Sequence, residues 1–211
     1  MTVEIVALRA HGADEVAVLF EIRSGEDVQK ERAILSATDF ADLRLAKGEV
    51  SLACMDAVIA VSDRYAARKR ALAMLTFGRC SERRLVQKLR AKGVDLSVAR
   101  ETAALLSEEG YLDGGADALR EAERDLQKLW GERRIRADLH AKGYDTEAID
   151  EALSSLKEEY DFTELCADRI QKNFGTLSKD PHERQKQIAS LERAGFSLSE
   201  IRRASEEDLC L

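Results

Sequence analysis

The feature that most constrains this chain is an internal repeat. RRLVQKLRAKGVD at residues 83–95 is followed fifty residues later by RRIRADLHAKGYD at 133–145, and a weaker third copy ends in RAGFS at 193–197. A repeat of this kind indicates a supersecondary unit used more than once, so it has to be interpreted before any single motif. The three copies align on Gly93, Gly143 and Gly195.

The residues around each glycine predict two helices joined by a tight turn. Every copy has a leucine four positions before the glycine, an apolar residue directly after it and a helix-capping residue one position further on. The glycine suits the left-handed backbone that ends a helix. The capping residues, Asp95, Asp145 and Ser197, can accept a bond from the backbone N–H groups that start the next helix. An apolar residue four positions beyond each cap completes a hydrophobic staple, and Ser197 with Glu200 has capping-box spacing.

A further helix is predicted before each pair, ending at the aromatic–glycine steps Phe77-Gly78, Trp130-Gly131 and Phe174-Gly175. The predicted fold is therefore mainly α, with tandem three-helix, helix-turn-helix-like repeats at 51–112, 113–160 and 161–211. Units this small stack on their neighbours, which predicts an elongated, curved array.

The first fifty residues have a different pattern. VEIVAL at 3–8 and EVAVLFEI at 15–22 are β-branched runs separated by AHGAD, which predicts a hairpin. A third strand is expected near 32–35 and a short helix from Ser36 to Leu45. We expect this small β-rich region, 1–50, to pack on the following helix, because an isolated hairpin is only marginally stable.

Charge is distributed unevenly along the chain. The net charge is −7, yet residues 62–100 contain eleven basic and three acidic residues. The overall acidity argues against a protein that simply coats phosphates, while the local excess favours some anionic partner.

Many of the basic residues recur at the same position in successive copies. Two interpretations are open: a solvated outer face, or a repeated surface that contacts phosphates or the acidic rim of a partner. Repetition of the Arg-Arg pair favours the second. The candidate partner- or anion-binding residues are Arg79, Arg83, Arg84, Lys88, Arg90, Lys92, Arg133, Arg134, Arg136 and Lys142. Aromatic residues at helix ends could stack on bases, but a core position is favoured for them; they are Tyr111, Trp130, Tyr144 and Tyr160.

No catalytic residue, metal site or cofactor is predicted. The histidines (His11, His140, His182) and the cysteines (Cys54, Cys80, Cys166, Cys210) lack the spacing of metal ligands. Carboxylates are expected on solvated helix surfaces, in weak pairs with bases four residues away. Nucleotide-binding and hydrolase motifs are missing from the sequence. The most apolar stretch, 52–61, contains Asp56 and is too short to cross a bilayer, so a cytoplasmic location is expected.

Three segments in a fixed order resemble the bacterial RecX family: ALAMLTFGRCSERRLVQKLRAKGV, EEGYLD, and GERRIRADLHAKGYDTEAIDEAL. The resemblance implies tandem three-helix repeats and a non-enzymatic modulator that binds the filament of the recombinase RecA on single-stranded DNA. It further implies a position in the filament groove and, most often, inhibition of ATP hydrolysis and strand exchange. The chain departs from the family at Gly114-Gly115-Ala116, where an acidic residue and a bulky aromatic are usual.

The function expected from the resemblance is regulation of recombination and the SOS response by a monomeric protein. DNA would be reached mainly through the filament, with weak direct binding to DNA. The alternative is a helix-turn-helix protein that acts on bare DNA, which the glycine turns and the basic segment permit. An enzyme is the least favoured of the three.

Overall fold

A computed structural model of the chain describes residues 1–207. The last helix was expected to fray over 205–208, but it is helical as far as Glu207; Asp208 and Cys210 lie outside the described residues. The described part contains four strands and ten helices: β1 Thr2–Ala10, β2 Glu15–Ser24, β3 Asp27–Ser36, α1 Ala37–Leu43, β4 Gly48–Val50, α2 Leu52–Phe77, α3 Glu82–Ala91, α4 Leu96–Glu108, α5 Gly114–Leu126, α6 Glu132–Lys142, α7 Thr146–Glu159, α8 Phe162–Phe174, α9 Pro181–Arg193 and α10 Leu198–Glu207.

The N-terminal region is an antiparallel sheet with strand order β3-β2-β1-β4. The predicted hairpin is confirmed, and the expected third strand is a full partner of β2 rather than a short piece. Strand β4 was not predicted, because only a short helix was expected between the third strand and residue 51. In the structure Gly48 begins β4, which pairs with β1. The helix expected from Ser36 is confirmed, but it ends at Leu43, where Arg44 turns left-handed.

The sheet packs on the helix that follows it, as expected. Met55 and Val58 of α2 are buried in one core with residues of β1, β2 and β3. The hydroxyl of Ser62, one turn further along α2, accepts a hydrogen bond from the backbone N–H of Ile34 at 2.9 Å. The helix therefore supplies the apolar cover that a free hairpin lacks.

The three glycine turns are confirmed in detail. The φ angles are 83° at Gly93, 86° at Gly143 and 98° at Gly195, which is the left-handed region. In each turn the residue after the glycine donates its backbone N–H to the carbonyl of the leucine that lies four positions before the glycine, at 3.2 Å. This is the bond that closes a Schellman motif. The three leucines, Leu89, Leu139 and Leu191, are all fully buried.

The helices that follow the turns begin as predicted. Asp95 and Asp145 accept backbone N–H bonds at 2.7 and 2.8 Å. Ser197 and Glu200 form the reciprocal capping box, in which Glu200 accepts from the Ser197 backbone at 2.6 Å. The staple positions Ala99, Ile149 and Ile201 are buried.

Two expectations within the helical part were wrong. The apolar spacing in α4 predicts that Leu105 and Leu106 both face the core, but only Leu106 is buried and Leu105 is 43% exposed. The step at Trp130-Gly131 does not end a helix: α5 stops at Leu126, and Gly131 is the N-cap of α6. Leu129, with φ of 55°, turns the chain before the tryptophan is reached.

The chain forms two compact units. One contains Met1–Gly78 with Leu85–Leu105, and the other contains Arg79–Arg84 together with the chain from Leu106 onwards. The core of the second unit is built from apolar residues of α5 to α10. Within the described residues, no helix is both long and apolar enough to cross a bilayer. The grouping of the helices into modules at 51–112, 113–160 and 161–211 stays a prediction.

Candidate partner-binding surface

Two helix starts carry the repeated arginine pair. The hydroxyl of Ser81 accepts the backbone N–H of Arg84 at 3.2 Å and so caps α3. Gly131 occupies the same position before α6. Arginines in a first turn oppose the helix dipole, because the N-terminal end of a helix is positive. Helix stability therefore does not explain why the pair recurs.

Each of these helix starts is covered by the glycine turn of the following copy of the repeat, an arrangement we call the turn-to-helix junction. At the start of α3, the Ser81 hydroxyl donates to the carbonyl of Lys142 at 2.6 Å. At the start of α6, the Gly131 N–H donates to the carbonyl of Ala194 at 2.8 Å, and the Arg133 N–H to that of Gly195 at 3.2 Å. At the start of α6, backbone N–H groups that the helix leaves unpaired are thereby satisfied by the carbonyls of a turn.

Backbone contact at the second junction is so close that it needs glycine on both sides. A Cβ atom at Gly131 would lie 2.4 Å from the backbone carbon of Gly195, and one at Gly195 would lie 2.5 Å from the Arg134 nitrogen. At the first junction, a Cβ atom at Gly143 would lie 3.0 Å from that of Arg83. The repeat is thus preserved at the level of a tertiary contact as well as in the sequence.

Four of the ten candidate basic residues are held by other side chains. Arg79 lies 3.8 Å from the carboxylate of Asp117. Arg136 is paired with Asp150 and, at 3.6 Å, with Glu132, and these bonds raise the pKa of the Arg136 guanidinium. Lys142 is bound at 2.6 Å by both Glu121 and Asp138, and the guanidinium of Arg134 lies over the Trp130 ring, 3.9 Å from its centroid.

The remaining candidates are concentrated on α3. Arg83, Arg90, Lys92 and Arg133 are exposed and Lys88 is half-buried. Within residues 1–207 none of these five lies within ion-pair distance of a carboxylate. Arg84 is exposed as well. The cationic surface is therefore better developed in the first copy of the repeat than in the second.

A buried acidic cluster was missed by the sequence analysis, which expected carboxylates to be solvated. Asp117 is 3% exposed and Asp125 is fully buried. Their spacing, with Glu121 between them, places all three on one face of α5. Glu121 and Asp125 meet Lys142 of α6, whereas Asp117 is paired with Arg79 and Arg120. Burial raises the pKa of Asp125, which Lys128 opposes by bonding to it. Burial disfavours the charge on Lys142, yet its bonds to Asp138 and Glu121 outweigh this and raise its pKa.

The aromatic residues have mixed environments. Tyr144 is buried, as the core interpretation predicted, whereas Tyr111 and Tyr160 are exposed. Trp130 is half-buried beside Arg134 and Lys128. Phe77 ends α2 as expected, and its side chain is 95% exposed.

Within the described residues, no cluster of three or more His, Cys, Asp or Glu side chains is arranged to hold a metal ion. Cys54, Cys80 and Cys166 are free thiols. Burial raises the pKa of the Cys166 thiol to about 12, so this thiol is uncharged at neutral pH.

The chain is similar in sequence to proteins named regulatory protein RecX. It is 33% identical to the regulatory protein RecX of Stenotrophomonas maltophilia (strain R551-3) over 141 residues, which cover 66% of this chain and 85% of that protein. It is 34% identical to the regulatory protein RecX of Xanthomonas axonopodis pv. citri (strain 306) over 142 residues, covering 67% and 86%. No protein-family model matches the chain.

Solved structures share the fold. A crystal structure of a regulatory protein RecX superimposes with a TM-score of 0.73 at 20% identity, covering 97% of this chain and 99% of that one. The crystal structure of RecX from Lactobacillus salivarius gives a TM-score of 0.61 at 18% identity, covering 71% and 98%.

Proposed function

Because the chain belongs to the RecX family of regulatory proteins, we propose that it regulates the recombinase RecA by binding the filament that RecA forms on single-stranded DNA. Binding slows ATP hydrolysis and strand exchange, and so restrains recombination and the SOS response in the cytoplasm. The chain acts by contact and not by catalysis.

The observation that carries the proposal is the repeated helix start, with its two arginines and its junction to the glycine turn of the following copy of the repeat. Repetition of one local structure along a chain gives several similar contact surfaces, each of them weak. Weak contacts on one chain add up, because the first bound surface raises the effective concentration of the next. A filament, which repeats its own subunits, is a partner that suits such a chain.

We propose that the chain docks across adjacent RecA subunits and restrains the subunit motion that accompanies nucleotide turnover. The unpaired basic residues Arg83, Arg90 and Arg133 contact acidic groups of the filament. Charge complementarity of this kind sets the orientation and the rate of encounter more than the final affinity.

The test is the DNA-dependent ATP hydrolysis of RecA, measured as this protein is added. We expect the rate to fall as the amount of the protein approaches that of RecA. An unchanged rate at stoichiometric amounts would count against the proposal.

A charge-reversal variant tests the basic helix starts directly. With Arg83, Arg84, Arg133 and Arg134 all changed to Glu, filament binding is expected to fall while helicity, measured by circular dichroism, is retained. A matched control carries the same change of charge at exposed basic residues elsewhere, namely Arg9, Lys172, Arg193 and Arg202. Equal binding by the two variants would remove the basic helix starts from the mechanism.

The alternative, a helix-turn-helix protein acting on bare DNA, is favoured by the exposed arginines Arg83 and Arg90 of α3. It predicts tight binding to duplex DNA that weakens steeply with salt. A gel-shift assay at two salt concentrations separates the two functions, because the filament regulator is expected to bind bare duplex only weakly.

A further inference from the structure

An exposed surface of the first unit combines apolar and cationic side chains. Phe77, the last residue of α2, borders an open cavity of about 340 Å³ together with Met74, Lys88, Ala91 and Lys92. The aromatic ring is almost fully in solvent. We call these five residues and the adjacent Gly93 turn the open-turn patch.

Lys88 and Lys92 of this patch carry charge that no acidic side chain in the described part of the chain neutralises. Comparison with the second copy of the repeat shows why. Fifty residues on, Lys92 corresponds to Lys142, which is bound by three carboxylates. Lys88 corresponds to one of those carboxylates, Asp138. The other two, Glu121 and Asp125, correspond to the apolar residues Ala71 and Leu75. The first copy therefore contains the lysine but none of the three acids that neutralise it in the second copy.

The glycine turn of the patch is also uncovered. A Cβ atom at Gly93 would meet no atom within 4 Å, whereas the turns at Gly143 and Gly195 each lie against the start of a helix. Ala91, Lys92 and Gly93 are all exposed.

The two helix starts that cover the other turns have similar chemistry. They begin with a small residue followed by glutamate, Ser81-Glu82 and Gly131-Glu132, and they donate hydrogen bonds to the carbonyls of the turn. An occupant of the same kind would place its acidic residue within reach of the unpaired lysines.

We propose that the open-turn patch docks a protein segment that starts a helix with a small capping residue and an acidic first turn, and that an apolar side chain of this segment packs on Phe77. The inference rests on the proposed function, because the segment then belongs to the RecA subunit that the chain holds.

A second copy of this chain does not fit the patch. Its third equivalent helix start, that of α9, has Asp180 as the N-cap and Pro181 as the first helical residue. A carboxylate cannot donate a hydrogen bond to the turn as the Ser81 hydroxyl does, and it would face the carbonyl oxygens of the turn. Asp180 is moreover engaged with its own helix, accepting the Glu183 N–H at 2.9 Å.

A strand of nucleic acid fits less well than a helix start. Phe77 is the one aromatic residue among the five that border the cavity, whereas sites for single strands stack successive bases on several aromatic side chains. The end of α3 also presents backbone carbonyls, whose partial negative charge favours N–H donors over phosphate.

The test compares the affinities of variants for RecA filaments on single-stranded DNA. Phe77→Glu is expected to weaken binding by about tenfold or more, the loss typical of a central contact residue. Lys88→Gln together with Lys92→Gln is expected to weaken it less and to reduce the dependence on salt. Since all three side chains point to solvent or lie at the surface, thermal unfolding should be unchanged.

Matched controls are available elsewhere in the chain. Leu198→Glu places the same charge on another exposed apolar residue, and Lys172→Gln with Lys179→Gln removes the same charge from exposed lysines. Both controls are expected to bind within about twofold of the unaltered protein, as residues outside a contact centre do. If the unaltered protein does not bind filaments, the proposed function fails and this inference fails with it. If it binds and Phe77→Glu binds equally well, the inference alone is overturned.

A photo-crosslinker identifies the occupant. With p-benzoylphenylalanine placed at position 77, we expect crosslinks to a RecA peptide at the acidic start of a helix. Crosslinks to the DNA, to a second copy of the chain or to another part of RecA would overturn the proposal.

Discussion

Tyr144 lies at a repeated position in the chain, and its pKa is shifted by its burial and by nearby negative charges. It follows the Gly143 turn, where Val94 and Phe196 follow the other two turns, and it is buried. Burial raises the pKa of its hydroxyl to about 12, and the negative charges of Glu121 and Asp117 act in the same direction. The phenol therefore stays neutral in the folded protein at a pH where it ionises in the unfolded chain.

This shift makes stability fall at alkaline pH. Between about pH 10, where an unfolded tyrosine loses its proton, and about pH 12, the unfolded state binds fewer protons than the folded state, so the free energy of unfolding decreases as the pH rises. We expect Tyr144→Phe to abolish a part of this decrease that reaches roughly 1 kcal/mol by about pH 11. Urea unfolding from about pH 9 to about pH 11 measures it through the linkage relation.

Tyr160→Phe is the control for this experiment, because Tyr160 is exposed. Its stability should follow that of the unaltered protein throughout the pH range. A Tyr144→Phe variant that loses stability in parallel with the control would show that the tyrosine is not shielded.

At the residue scale, the structural role of a side chain is best predicted from the sequence where that role depends on neighbours along the chain. Asp145 and Ser197 cap helices because of the residues within four positions of them, and both were predicted. Asp125 and Leu105 were not, since their burial depends on which other helix lies opposite. Spacing alone could have placed Asp117, Glu121 and Asp125 on one helix face, but nothing in the sequence says that Lys142 would meet Glu121 and Asp125 there.

At the scale of the elements, the glycine turn is the part that the chain reuses. The three turns share the same backbone hydrogen bond, but their surroundings differ. This difference separates two reasons for which glycine is required, the left-handed backbone and the close approach of another segment.

Alanine at the three glycines should separate these two requirements. Gly93→Ala is expected to lower the free energy of unfolding by about 1–2 kcal/mol, the cost of the left-handed backbone alone. Gly143→Ala and Gly195→Ala carry the same strain, and the added Cβ overlaps a neighbouring segment, so that about 1–3 kcal/mol more is lost. Thermal or urea unfolding of the three variants gives the comparison.

The loss in free energy of unfolding is therefore expected to increase from Gly93→Ala to Gly143→Ala to Gly195→Ala. The added carbon would lie 3.0 Å from Arg83 in the second variant and 2.5 Å from the Arg134 backbone in the third. Equal losses at all three positions would mean that the junction contacts do not contribute to stability.

The sequence identified most elements because each begins and ends with its own signals. Caps and glycines mark the helices from α3 to α10, and β-branched runs mark β1 and β2. Strand β4 has three residues and forms through its pairing with β1, so no local sequence pattern predicts it. The end of α5 was misplaced for a related reason: Arg169 of α8 bonds to the carbonyls of Lys128 and Leu129, at 3.1 and 2.8 Å, and stabilises an early turn.

At the scale of the whole molecule, an acidic chain carries one strongly basic segment. The net charge of −7 combines with a positive excess at 62–100. Such a chain is repelled by bare phosphate at most approaches and attracted through one region, which favours a partner that offers both acidic and neutral surface.

A chain that contacts successive filament subunits should saturate the filament at less than one copy per subunit. We expect the suppression of ATP hydrolysis to reach its limit below a one-to-one ratio of this protein to RecA, because linked contact surfaces bind as one. A titration under tight-binding conditions measures the ratio. Saturation at one copy per subunit would mean that each chain holds a single subunit.

The start of α9 determines whether this chain could be lengthened by gene duplication. A fourth fifty-residue unit, appended in frame, would have to seat its own glycine turn on Asp180 and Pro181. A carboxylate stands there in place of the serine or glycine that the earlier turns meet, and proline stands in place of the glutamate that follows. An engineer who wishes to build a longer protein from these units should therefore first restore Ser-Glu or Gly-Glu at positions 180 and 181.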